Sequence, residues 1–138
     1  EERGGLHLEC NNTAVCTEEV QVVTVDDFLD KHHLHDVYQV EIDTEGHDGM
    51  VLRGMERTIA EKRASLVQFE IIKRPAWLAD VVERFRVTGY TCFWQAVDQL
   101  FPISGPCWRK EWQDVTRRPY TWANVVCAHQ PKAVAIMT

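Results

Sequence analysis

The chain has 138 residues, of which 45% are hydrophobic and 26% charged, and this balance is typical of one folded domain rather than a disordered segment. Its 15 basic and 21 acidic residues give a net charge of −6, which disfavours a nucleic-acid partner because such proteins usually carry a basic patch that neutralises phosphates. The apolar runs are shorter than a membrane helix requires, so no membrane segment is expected within this chain.

The cysteines and one glycosylation pattern bear on the compartment. Five cysteines without a C-x-x-C pair encode neither a zinc ribbon nor a closed disulfide framework, so we expect free thiols. Asn11-Asn12-Thr13 fits the N-glycosylation pattern, which is short enough to arise often by chance. The compartment therefore stays open between the cytoplasm and the lumen of the secretory pathway.

The first predicted elements are a strand, a helix and a second strand. Residues 20–25 are rich in β-branched side chains and predict a strand. Thr24-Val25-Asp26-Asp27 then predicts a capping box that begins a short helix. Residues 37–42 have mostly apolar positions and strand propensity, which predicts a second strand ending at Asp43.

A longer helix is predicted over residues 48–62. Val51, Met55 and Ile59 recur at intervals of four and form one apolar face. Gly54 weakens this helix but need not break it. We therefore expect a single helix after the second strand.

The second half continues the alternation of strand and helix. Residues 66–72 are nearly continuous in apolar character, as in a strand buried on both faces. Residues 78–85 predict a helix with Gly89 at its carboxyl-terminal cap. Residues 90–94 and 120–129 predict two more strands, and the intervening loop, from about 99 to 119, is long enough to indicate a functional lid or a disordered flap.

Strands that alternate with helices predict an α/β fold with a mostly parallel sheet, covered on both faces by right-handed crossovers. In such sheets ligands bind beyond the carboxyl ends of the strands, where this sequence places a polar run. Asp43, Glu45 and Asp48 offer carboxylates there, and the imidazole of His47 can take a proton from a hydroxyl. Gly46 permits a tight turn or a close approach of the backbone to a ligand.

The same run has a structural interpretation, which the residues alone leave open. Asp43 and Glu45 would then satisfy backbone amides at the start of the next helix, and Asp48 would complement the helix dipole.

Three segments in this order carry a family resemblance. Residues 23–29 (VTVDDFL), 40–48 (VEIDTEGHD) and 51–55 (VLRGM) resemble the motifs of the FkbM-type S-adenosylmethionine-dependent methyltransferases. In that family a T-L-D-x-F/L stretch precedes a strand ending in I-D-x-E-G, and a helix with V-L-x-G follows. The resemblance continues through the strand ending at Glu70 and the later strands, so that it covers roughly residues 20–129.

The resemblance implies a Rossmann-like methyltransferase fold, with S-adenosylmethionine as the cofactor and an oxygen of a small molecule or glycan as the methyl acceptor. At the matching positions it implies that Asp43, Glu45 and Gly46 contact the cofactor. Asp43, Glu45 and His47 are the catalytic residues that it predicts.

One expected element of this family is missing from the sequence. A glycine-rich cofactor loop should follow the first strand of such a domain, and no G-x-G cluster precedes a helix here. We therefore expect residues 1–138 to form a single partial domain, the carboxyl-terminal portion of a methyltransferase domain. The first strands and the cofactor loop would lie upstream of Glu1, and the chain as given would be inactive.

The long loop supplies the predicted substrate-binding residues. Trp108, Arg109 and Trp112 combine aromatic rings with a guanidinium and would stack on a ring or sugar and hold an anionic group. Trp94 and Trp122 are instead expected in the core, on neighbouring strands.

Two other functions compete with the methyltransferase. One is a non-catalytic α/β binding module that uses the aromatic and basic loop as an interaction surface. The other is a metal-dependent hydrolase built on the polar run of residues 43–48, which is disfavoured because ligands so close in sequence need distant partners to converge on one ion.

Overall fold

The computed structural model describes residues 20–72, 77–105 and 122–129 of the chain. In chain order the elements of this part are α1 (Val25–Lys31), β1 (Val37–Ile42), α2 (Asp48–Arg53), α3 (Glu56–Ala60), β2 (Ala64–Ile72), α4 (Leu78–Val87), β3 (Tyr90–Gln95), β4 (Leu100–Pro102) and β5 (Trp122–His129). Within these ranges, no helix has the length and apolar character that crossing a membrane requires.

The strands form one mixed sheet in the order β1-β2-β5-β3-β4. β1 and β2 pair in parallel, whereas the other three pairings are antiparallel. The α/β class is therefore confirmed, and the prediction of a mostly parallel sheet is wrong.

The position of β5 explains this difference. It lies between β2 and β3 and is antiparallel to both. The sheet therefore has two antiparallel pairings here, whereas β2 and β3 would pair in parallel if they were adjacent. β1, β2 and β3 nevertheless run in the same direction. α2 and α3 connect β1 to β2, and α4 connects β2 to β3. β4 returns from β3 through a short hairpin, which makes its pairing antiparallel.

The core lies between one face of this sheet and the helices α2, α3 and α4. Val67, Phe69 and Ile71, which alternate along β2, are fully buried on that face, as the two-residue period of a strand requires. The helices contribute Leu52, Met55, Ile59, Val81 and Phe85 to the same cluster. This packing holds β1 and β2 in place below the polar residues that follow them.

The predicted strand over residues 20–25 is not formed. Residues 20–24 have no regular structure, and Val20, Val22 and Val23 are exposed. Strand propensity alone does not produce a strand, because its backbone groups need a partner strand, and the described residues provide none here. The predicted cap by Thr24 is formed, since the Asp27 amide donates to Thr24 Oγ1 at 3.0 Å and α1 follows directly. The reciprocal bond of a capping box, from the Thr24 amide to the Asp27 side chain, does not occur among the described residues.

The predicted single helix over residues 48–62 is two helices. The first ends with Gly54 as its cap, and the Gly54 carbonyl accepts a hydrogen bond from the Asp26 amide of α1 at 3.0 Å. The Asp26 carboxylate in turn accepts from the amides of Arg57 and Thr58 at 3.0 and 2.8 Å. A side chain from α1 therefore caps α3, and α1 occupies the break in the predicted helix.

The second half follows the prediction except for one strand. α4, β3 and β5 are formed, Gly89 follows the α4 cap with φ 90°, and Trp94 is buried. The predicted loop of residues 99–119 begins instead with the strand β4, because the hairpin after β3 places Leu100–Pro102 against it. Residues 106–121 lie outside the described part, and so does the side chain of Trp122.

Two of the cysteines are not free thiols. Cys92 in β3 and Cys127 in β5 face each other directly in the antiparallel register and form a disulfide. The spacing of cysteines in the sequence did not predict this bond, because the two residues become neighbours only once β5 inserts beside β3. Cys10, Cys16 and Cys107 lie outside the described residues.

Candidate functional site

The carboxyl ends of β1 and β2 lie side by side. The two strands are parallel, and their last register pair joins Ile42 to Phe69. The next residues along each strand, Asp43 and Glu70, therefore stand at the same level of the sheet. A carboxylate from each strand is thus brought to one edge.

A tight turn follows Asp43. The His47 amide donates to the Thr44 carbonyl at 3.2 Å, and the two central residues, Glu45 and Gly46, have φ of 51° and 99°. Positive φ at both central positions is the pattern of a type I′ turn, in which glycine is favoured at the second position. The tight turn predicted at Gly46 is confirmed, and a Cβ at this position would meet no atom within 4 Å, so the turn borders open space.

The buried Asp48 fixes this turn to β2. One carboxylate oxygen, Oδ2, accepts from the Thr44 hydroxyl at 2.7 Å, and the other, Oδ1, accepts from the Glu70 amide at 2.8 Å. The residue has no exposed surface. One carboxylate therefore holds the turn and the end of the neighbouring strand in a fixed relation.

Asp43 and Glu45 have no such structural role among the described residues. Both are exposed, and no hydrogen bond or ion pair of their carboxylates occurs in this part of the chain. The amino-terminal cap of α2 is His47, which makes no side-chain capping bond. The capping interpretation therefore fails for Asp43 and Glu45, whereas Asp48 accepts hydrogen bonds from the backbone amides of Thr44 and Glu70.

His47 is exposed at the end of the turn. Its Nδ1 lies 3.2 Å from the Thr44 carbonyl oxygen, which can only accept, so Nδ1 carries the hydrogen in this contact. Nε2 is then the nitrogen able to accept a proton.

Glu70 also lies at this edge, although the sequence did not predict it as a site residue. It lies at the end of β2 and has only 9% of its surface exposed. Burial raises the pKa of its carboxyl above the ordinary value, and the charges of Asp43, Glu45 and Asp48 raise it further. The signal was available, because Glu70 is the one charged residue in the apolar run of residues 66–72.

The matching family model is the Methyltransferase FkbM domain, which covers residues 12–92, more than half of the chain. The chain belongs to this family. A search of curated proteins finds no match, and a search of solved structures finds none either. The matched residues of the FkbM domain include the turn after β1 and the end of β2, and they stop at Cys92, before β5.

Two further predictions concern the substrate-binding residues and a metal site. The predicted substrate-binding residues lie outside the described part of the chain; they are Trp108, Arg109 and Trp112. The binding-module hypothesis rests on the same residues. Over the described ranges no three histidine, cysteine or acidic side chains are placed to hold a metal ion. The metal-dependent hydrolase gains no support from this part of the chain.

An apolar groove lies elsewhere on the FkbM domain, between α2, α3 and α4. It has a volume of about 160 Å³, and an ion pair of Glu56 with Arg84 lies at its lining. The other lining residues are Leu52, Ile59, Ala60, Val81, Phe85, Val87 and Thr88. None of these belongs to the turn of residues 43–48, so this groove and the polar edge are separate features.

Proposed function

We propose that this FkbM domain transfers a methyl group from S-adenosylmethionine to a hydroxyl of a small molecule or glycan, on a Rossmann-like sheet. The family membership supports methyl transfer. The location of the site is inferred from two exposed carboxylates, those of Asp43 and Glu45. They lie on a fixed turn at the end of β1, which pairs in parallel with β2. This is the edge at which open α/β sheets bind their ligands.

The residues of this edge fit the cofactor. S-adenosylmethionine carries a sulfonium and an ammonium, and it supplies an electrophilic methyl group when bound. Asp43 and Glu45 have carboxylates without a protein partner in the described residues, and such groups bind cations and hydroxyls by charge-assisted hydrogen bonds. Gly46 keeps the turn in a conformation that few other residues adopt.

The chain's own contribution to the reaction is mainly placement. Asp43 and Glu45 hold the cofactor or the acceptor so that the reacting atoms are in line, and correct orientation alone lowers a barrier substantially. The acceptor hydroxyl also needs a base within hydrogen-bond reach, and His47 is the base that the sequence predicts.

The test is calorimetric binding of S-adenosylmethionine to the complete protein. Asp43→Asn and Glu45→Gln remove one charge each at nearly constant shape, and we expect each to weaken binding by about tenfold, the usual loss for a hydrogen bond to a charged group. Asp36→Asn, which changes an exposed acidic residue before β1, is the matched control and should bind as the wild type does.

Methyl transfer from radiolabelled S-adenosylmethionine to a panel of mono- and oligosaccharides provides the second measurement. The double variant Asp43→Asn, Glu45→Gln should lose this transfer. If the double variant binds the cofactor and transfers methyl at the wild-type level, the site is not at this turn. If the wild type binds no S-adenosylmethionine, the proposed function itself is wrong.

A further inference from the structure

We infer that Glu70, rather than His47, takes the proton of the acceptor hydroxyl, an inference that rests on the proposed function. It names a further catalytic residue, one that lies on β2 and not in the motif after β1.

Glu70 lies at the edge of the sheet that carries the turn after β1. It stands at the level of Asp43 in the parallel pair, and its backbone amide is held by the same Asp48 carboxylate that holds Thr44. Any ligand positioned by the turn therefore lies next to the end of β2. The geometry between the two strands does not depend on a ligand, because Asp48 fixes it within the protein.

A second feature is that the Glu70 side chain is largely buried and has no hydrogen-bonding partner in the described residues. Only 9% of the residue is exposed, and within the described ranges its side chain makes no hydrogen bond or ion pair. Keeping a charged group largely buried without a hydrogen-bonding partner costs free energy, so proteins normally provide such a group with a partner. A hydrogen-bond donor from a bound acceptor would satisfy it here.

The surrounding charges support the same role. The groups that face Glu70 are Asp43 and Glu45 in the turn and Asp48 at the start of α2. From β5, the residue opposite Glu70 is the uncharged Asn124. Burial and these three carboxylates raise the Glu70 pKa, and a carboxylate with a raised pKa is the better proton acceptor at neutral pH.

His47 is less suited to the same task. It is exposed, and its Nδ1 is engaged by the Thr44 carbonyl. A largely buried base is better protected from bulk water during a proton transfer than an exposed imidazole is.

The proton transfer accompanies the methyl transfer. The O–H bond of the acceptor breaks, and its proton goes to a carboxylate oxygen of Glu70. The electron pair left on the acceptor oxygen forms the new bond to the methyl carbon. The bond from that carbon to sulfur breaks and its electron pair stays on sulfur, so that the sulfonium becomes a neutral thioether. Glu70 later returns the proton to solvent.

The experiment compares three variants of the complete protein. Glu70→Gln keeps the size of the side chain but cannot take the proton, and we expect kcat to fall by about a hundredfold or more while calorimetric binding of S-adenosylmethionine stays within about twofold. His47→Gln, which removes the base that the sequence predicts, should lower kcat less than Glu70→Gln does. Glu41→Gln removes an exposed charge from β1 and is the control for the change in net charge.

A second measurement needs no activity. Carbon-13 NMR of glutamate-labelled protein without cofactor, assigned with Glu70→Gln, should show the Glu70 carboxyl titrating above its ordinary value of 4.5. Because the folded pKa is raised, the native state binds more protons than the unfolded state in this range, so stability falls as pH rises from 4.5 to the folded pKa. Glu70→Gln should lack this decline and have a higher Tm at neutral pH than the wild type.

The outcomes separate this inference from the proposed function. If the wild type binds S-adenosylmethionine but Glu70→Gln keeps the wild-type kcat, or His47→Gln loses it instead, Glu70 is not the base and the proposed function stands. A Glu70 carboxyl that titrates at or below 4.5 also overturns the inference. Absence of cofactor binding by the wild type overturns both.

Discussion

The three acidic residues of the polar run at residues 43–48 have different roles. Asp48 is fully buried and bonded to protein groups, whereas Asp43 and Glu45 are exposed and without protein partners in the described residues. The sequence predicted a polar run over residues 43–48, but not which of its carboxylates is buried and which are exposed. The role of Asp48 depends on the Glu70 amide, which lies 22 positions along the chain, and no local pattern reports such a contact.

The first prediction at this scale concerns Asp48. Asp48→Ala removes the acceptor of the Glu70 amide and of the Thr44 hydroxyl, and it leaves a buried amide unsatisfied. We expect a loss of about 2–3 kcal/mol in the free energy of unfolding, measured by urea denaturation. Asp36→Ala, an exposed residue, should change the stability by less than about 0.5 kcal/mol. Equal stability of both variants would show that the Asp48 bonds contribute nothing.

At the scale of elements, the apolar spacing predicted burial better than it predicted helix boundaries. Met55 and Ile59 are buried as expected, although the helix that should have carried both is interrupted at Gly54. The periodicity reports which side of the chain faces the core. It does not report that Asp26, about 30 positions earlier, supplies a cap for a separate helix.

Asp26 and its neighbour Asp27 provide a matched test of that cap. Both lie in the first turn of α1 and carry the same charge, but only the Asp26 carboxylate bonds to Arg57 and Thr58. Asp26→Ala should lower the free energy of unfolding by about 1–2 kcal/mol, as the loss of a helix cap does. Asp27→Ala should cost less than about 0.5 kcal/mol. Similar losses in the two variants would mean that the dipole of α1, and not the cap of α3, accounts for the effect.

At the scale of the whole molecule, strand order was the part of the fold that could not be predicted. Each strand of residues 37–42, 66–72 and 90–94 has a local signal, and all three are formed. The insertion of β5 between β2 and β3 depends on pairings between residues far apart in sequence, such as Phe69 with Val125. The same insertion forms the disulfide, so the expectation of free thiols failed for the same reason.

The disulfide should contribute to stability. Cys92 and Cys127 are 35 positions apart, and closing a loop of that length is expected to stabilise the fold by about 3–4 kcal/mol, mainly by restricting the unfolded chain. The double variant Cys92→Ala, Cys127→Ala, which leaves no single thiol at this position, should show that loss in guanidinium unfolding. Wild-type protein treated with a reductant is the control, and it should unfold close to the double variant. If oxidised wild type and double variant unfold together, the bond has no stabilising role.

The disulfide between β3 and β5 also makes residues 92–127 a covalent ring. The ring contains the segment with Trp108, Arg109 and Trp112, which the sequence proposes for substrate binding. A protease that cuts one peptide bond inside the ring does not divide the chain, because the sulfur atoms still join the two pieces. Limited digestion of this segment therefore yields a nicked protein that remains one molecule until it is reduced.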